Sequence, residues 1–150
     1  MRNRLQGRGH TLLELVVLMT IVGVLVSLGA ALGSAATRQR SRAVRTEVAA
    51  ELRTARHLAM TGREKIRVVF DADASELRSE RTDEARTVLR RYRFGGTGIH
   101  LDGLSNGSSV VFYPSGRSAT PTTITFGTVS GEQWRMTVSI TGRISIVQGP

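Results

Sequence analysis

Hydrophobic and polar positions along the chain fall into three successive patterns. From Thr11 to about Ala36, Leu, Val, Ile and Ala follow one another with scarcely a polar residue. A bilayer core of roughly 30 Å asks for about 20 helical residues, and Leu12 to Leu32 supplies that length. Beyond the block the pattern stays helical but becomes one-sided. Val44, Val48, Leu52, Ala55 and Ala59 recur at steps of four, four, three and four, which places them on one helix face. Arg42, Arg45, Glu47, Arg53 and Arg56 fall on the other faces. Neither proline nor glycine interrupts Ser34 to Thr61, and Gly62 stands where a helix stop belongs. The pattern predicts one helix from about Thr11 to Thr61.

After Gly62 the period drops to two. "KIRVVF" sets Ile66, Val68 and Phe70 against Lys65, Arg67 and Val69, as a strand with one buried face requires. "DADAS" reads as a turn, "ELRSER" as a weak returning strand and "TVLRRYRF" as another; "GGTG" at Gly95 to Gly98 is a loop or bulge. After the Asn-Gly turn of "LSNGSS" come the strands "SVVFY", "TTITFG", "WRMTVSI" and "ISIV", separated by "PSGRS", "VSGEQ" and "TGR". The expected class is α+β, with a long N-terminal helix packed on a C-terminal antiparallel β domain.

Composition narrows the chemistry. With no cysteine in 150 residues, disulfides and thiolate chemistry are excluded, and the domain is held by its core alone. The formal charge of +9 rests on arginine, Lys65 being the only lysine, and favours nucleic acid, anionic lipid or an acidic protein partner. His10, His57 and His100 are far apart in sequence, and His57 sits on the helix as a surface or packing residue. Asp71, Asp73 and Glu76 lack the length and terminal glutamate of an EF-hand loop, so a charged hairpin turn is expected. The glycine-rich loop lacks the Lys-Ser/Thr pair and helix of a phosphate cradle. No catalytic residue, metal or cofactor is expected.

One residue breaks the first pattern: Glu14, just inside the apolar run. A secretory signal peptide cleaved after "GSAA" (Gly33 to Ala36) has a shorter apolar core and no use for this acid. A plain signal anchor leaves it equally unexplained. Arginines flank both ends of the block, Arg2, Arg4 and Arg8 before it and Arg38, Arg40, Arg42 and Arg45 after, so charge alone sets no orientation. The stretch "GHTLLEL" from Gly9 to Leu15 resembles the prepilin cleavage motif of type IV pilins and type II secretion pseudopilins. Gly9 matches the last leader residue, Thr11 and Leu12 fit the next positions, and Glu14 matches the glutamate five residues into the mature chain. His10 stands where phenylalanine is usual.

This resemblance implies cleavage between Gly9 and His10 by a prepilin peptidase, with N-methylation of His10. It also implies assembly with other pseudopilins or pilins in a filament. The freed amine of one subunit would pair with Glu14 of the next, and the helix N-terminus favours the same negative charge. Val16, Val17, Ile21, Val24 and Leu25 are the expected helix-packing residues, and Gly23 and Gly29 allow close approach. The expected organisation is a leader (1–9), a transmembrane and filament-core helix (10–36), an amphipathic half (37–62) and a β-rich domain (63–150). The chain would lie in the inner membrane as a single pass with its C-terminal domain outside, among membrane lipid, and move into the filament on assembly.

The globular half resembles H-type pseudopilins and FimT-like minor pilins. The resemblance lies in Phe112, Pro114 and Gly116 of "VVFYPSGRS" and in Thr141, Gly142 and Arg143 of "WRMTVSITGRISIV". It implies a role in protein export or pilus biogenesis. The alternative it carries is DNA binding for uptake, which some FimT-like pilins achieve through a C-terminal Gly-Arg-x-Arg motif; here Ser145 replaces the second arginine. Arg117, Arg135 and Arg143 are the candidate DNA contacts. Arg90 and Arg91 point to opposite faces of their strand and cannot both join one surface.

Overall fold

The computed structural model describes residues 11–148, with side chains described for 11–27 and 39–147. Helix α1 spans Leu12–Gly62, and eight strands follow. The chain divides into two compact units, one up to Arg38 and one from Gln39 onward. Within the second unit the apolar stripe of α1 is the face that packs. Val44, Val48, Leu52, Ala55 and Ala59 are all buried, joined by Ala49. The helix stops at Gly62, but the left-handed residue that turns the chain away is Arg63 (φ 51°). Its side chain is exposed, so the strain costs only about 1–2 kcal/mol.

The strands form two antiparallel four-stranded sheets. The first has the order β3-β2-β1-β5 and the second β4-β6-β7-β8. β1 is Ile66–Asp71, β2 Glu76–Arg81, β3 Val88–Arg93, β4 Ile99–Leu104, β5 Ser109–Phe112, β6 Thr122–Thr128, β7 Gln133–Val138 and β8 Ile144–Gln148. In β1 the alternation is literal: Ile66, Val68 and Phe70 are buried, and the residues between them are not. "DADAS" is a tight turn in which Asp71 Oδ1 accepts the Ala74 N–H at 2.9 Å. β4 is absent from the sequence expectation because His100, Asp102 and Gly103 interrupt its apolar pattern. Ile99 and Leu101 nevertheless face the core, and the strand pairs with β6 through a register shift between Leu101 and Gly103.

Tyr92, Phe94, Phe126 and Trp134 form a continuous aromatic row, ending in Phe126 and Trp134 stacked 4.1 Å apart at 10°. The Arg45 guanidinium lies 5.4 Å from the Trp134 ring centroid, joining helix to second sheet by a cation–π contact. β3 is held to the helix differently. Buried Glu51 accepts Arg90 Nε at 2.9 Å and Nη2 at 2.6 Å. The hydrogen bond and charge of Glu51 raise the Arg90 pKa. Burial, then Glu47 and Glu51, raise that of the neighbouring Tyr92 phenol. Glu51→Gln is expected to cost about 1 kcal/mol in urea unfolding. The charge-assisted bonds weaken, but the Arg90 end is half exposed and rehydrates.

Candidate functional site

Two regions carry the chemistry singled out in the sequence. The first is the beginning of α1. Thr11 precedes the helix, and its hydroxyl accepts the Glu14 backbone N–H at 3.3 Å while its carbonyl accepts the Leu15 N–H at 3.2 Å. Thr11 is therefore the N-cap, and Thr-Leu-Leu-Glu has the Ser/Thr-x-x-Glu form of a capping box. The Thr-x-x-Glu spacing that marks this cap is a signal in the sequence itself. Gly9 and His10 lie outside the described residues.

Downstream of the cap, the helix is apolar on every side and exposed on every side, from Leu12 at 83% to Val17 at 46%. Its hydroxyls are satisfied internally: Thr20 Oγ1 donates to the Val17 carbonyl and Ser27 Oγ to that of Val24, each at 2.8 Å. Nothing lies within 4 Å of the Cα substituent position of Gly23. A helix apolar all round needs lipid or other helices around it. Among the described residues, no helix is long and apolar enough to cross a membrane. The stretch from Leu12 to Ser27 is roughly 16 residues, about 24 Å at the helical rise. The remainder of the expected span runs into residues 28–38, whose side chains lie outside the description.

The second region is where the two C-terminal motifs meet. Gly116 and Gly142 both adopt φ 76° at tight turns. Gly116 N–H donates to the Tyr113 carbonyl, and Gly142 N–H to that of Ser139. The turns abut so closely that a Cβ on Gly142 would overlap the Gly116 carbonyl oxygen. That oxygen accepts Arg56 Nε at 2.8 Å, so one helix arginine anchors the first turn while lying against the second. The Phe-x-Pro-x-Gly and Thr-Gly-Arg motifs thus form one structural joint.

The arginines sort by partner. Arg90 faces inward to Glu51; Arg91 faces outward and, with Arg78 and Arg93, surrounds buried Glu76 at 3.6, 3.7 and 2.9 Å. Arg81 pairs with Glu64, and Arg67 with Glu80. Of the candidate DNA contacts, Arg117 and Arg143 lie on the two abutting turns. Arg135 lines a different cavity, beside Asp102, Thr125 and Gln133. The structure does not bring all three together. His57 is exposed on the helix. His100 Nε2 lies 3.0 Å from Asp102 Oδ1, packed over Gly127, where a side chain would collide with it. Among the described residues, no group of His, Asp or Glu could hold a metal.

The profile of the family described as Type II transport protein GspH matches residues 34–142. The chain belongs to the GspH family. Two kinds of solved structure share the fold of this GspH-family chain. One is the minor pseudopilin EpsH from the Type 2 Secretion System of Vibrio cholerae. It superposes with a TM-score of 0.59 at 17% identity, over 71% of this chain and 95% of that one. The other is the type IV minor pilin FimU of Pseudomonas aeruginosa, with a TM-score of 0.63 at 18% identity, over 73% and 90%. At such identities the likeness concerns the fold: a helix packed on antiparallel sheets. No curated protein sequence matches the chain. The joint of Gly116, Gly142 and Arg56 falls inside the stretch matched to the GspH family, whereas Gly9, His10 and Glu14 precede it.

Proposed function

We infer that this GspH-family chain is a minor pseudopilin or minor pilin subunit. It is cut between Gly9 and His10 by a prepilin peptidase, methylated on His10, held in the inner membrane by the first part of α1, and drawn into a filament serving protein export or pilus biogenesis. The observation that carries this reading is the described N-terminal stretch of α1. It is capped at Thr11, apolar around its whole circumference and exposed throughout. Such a surface is stable only when other helices or lipid cover it. Glu14 in its first turn supplies a negative charge at the point where cleavage would create a positive amine.

Mass spectrometry of the chain isolated from cells with an active peptidase tests the processing step. A mature terminus at methylated His10 is expected. A terminus at Met1 or Thr37 would overturn the reading. DNA binding for uptake is the second reading, and the abutting turns carrying Arg117 and Arg143 are what favour it. It is the weaker because Arg135 stands on another surface and the arginines of β3 are engaged with Glu51 and Glu76.

A further inference from the structure

Beside the joint of the two turns, between the helix and the second turn, lies an open cavity of about 470 Å³. It is lined by Arg53, Arg56, Thr141, Gly142, Arg143 and Ile144. We propose that this cavity is a receptor for a carboxylate side chain presented by another protein, a docking site that does not depend on Glu14 or on processing at Gly9. Three arginines line one space, and among the described residues none of them has a carboxylate within ion-pair distance. This contrasts with the arginines of the first sheet. Arg67, Arg78, Arg81, Arg90, Arg91 and Arg93 all meet Glu51, Glu64, Glu76 or Glu80. Charge compensated inside the domain is thus separated from charge left for a partner.

The geometry suits a single carboxylate. Arg56 is fixed by the bond from its Nε to the Gly116 carbonyl, so its terminal amino groups are oriented before any ligand arrives. Planar guanidinium groups engage carboxylates by two parallel hydrogen bonds, and prior orientation reduces the entropy lost on binding. The floor is rigid. Arg143 N–H donates to Ser139 Oγ, which is itself bonded to Thr141 Oγ1, and Gly142 is wedged against Gly116. A nucleic acid asks for something different: a track of several phosphate contacts, or exposed aromatic rings for unpaired bases. Arg135 lies on a separate surface. Trp134, Phe94, Phe112 and Phe126 are wholly buried, and Tyr113 is half-buried beside Lys65. An acidic segment of a neighbouring protein is the occupant these observations favour.

The test uses the full chain in a non-ionic detergent, with a fluorescent oligoglutamate peptide as probe and an oligoglutamine peptide as its neutral counterpart. Oligoglutamate is expected to bind and to weaken as salt is raised, and oligoglutamine is not. Arg53→Gln combined with Arg143→Gln should lower the affinity about tenfold. The corresponding double lysine variant should fall between, because charge is kept and the paired hydrogen bonds are lost. Arg135→Gln should change little. Both altered side chains are exposed, and an unchanged urea midpoint confirms that the fold is intact. The proposal is overturned by equal affinity in the glutamine double variant, or by an equal loss in Arg135→Gln. It is also overturned if duplex DNA binds more tightly than the peptide and is lost in the same double variant.

Discussion

Glu14→Gln is expected to leave the start of α1 helical and to reduce incorporation into filaments about tenfold, equivalent to roughly 1.4 kcal/mol of lost association. Two roles converge on this residue, and the substitution separates them. As the fourth residue of Thr-Leu-Leu-Glu it fits the sequence form of a capping box, in which glutamine serves nearly as well as glutamate, and its backbone N–H bonds the Thr11 hydroxyl in either variant. As a carboxylate it carries the charge proposed to meet a neighbour's freed amine, and glutamine carries none. A carboxylate at a membrane helix centre costs about 2.5–3.5 kcal/mol on insertion scales and less near the interface. An ion pair formed on assembly would recover part of that. Glu14→Ala removes both roles. Thr11→Val removes the cap, worth about 1 kcal/mol, and keeps the charge. Disulfide-free chemical crosslinking in membranes reads incorporation, and circular dichroism reads helix content. Should the glutamine variant assemble as well as the parent chain, Glu14 acts only as a helix cap and the pairing idea falls.

Gly142→Ala has the largest expected effect on the globular domain, a destabilisation of about 2–4 kcal/mol. Two penalties coincide. At φ 76° any L side chain strains the backbone. The added Cβ would also overlap the Gly116 carbonyl oxygen and crowd Arg56, neither of which is free to yield. Backbone is the obstacle on one side, and on the other an arginine whose displacement would strand a hydrogen-bonded carbonyl. Urea unfolding followed by the fluorescence of Trp134 measures the loss. Gly131→Ala is the comparison: its φ is 84° but nothing lies within 4 Å of the new atom, so only the strain is felt. Equal losses at the two positions would mean that the turns do not brace one another.

Much of the helix was legible. The five-residue stripe from Val44 to Ala59 is the buried face, and the helix ends where the glycine stands, because burial on a helix follows residue spacing alone. Seven of the eight strands follow the alternation of apolar residues or the turns between them. β4 escaped because its outward positions, His100 and Asp102, look like loop residues until β6 lies beside them. The cap at Thr11 has a purely local signal, a threonine three residues before a glutamate. The site was the least legible part. Arg117 and Arg143 lie on abutting turns while Arg135 lines another cavity, and Arg53 and Arg56 read only as the solvent side of a helix.

Sequence by itself determined the periods: a capped apolar helix, an amphipathic continuation, and strands that put one face inward. Those features depend on neighbours within a few positions along the chain. Tertiary structure alone decided which arginines are neutralised and which are left to line a cavity. That depends on register between segments far apart in sequence: Glu51 against Arg90, and Arg56 against the turns at Gly116 and Gly142. An ion pair acts over a few ångströms of space, and only folding converts separation along the chain into that distance.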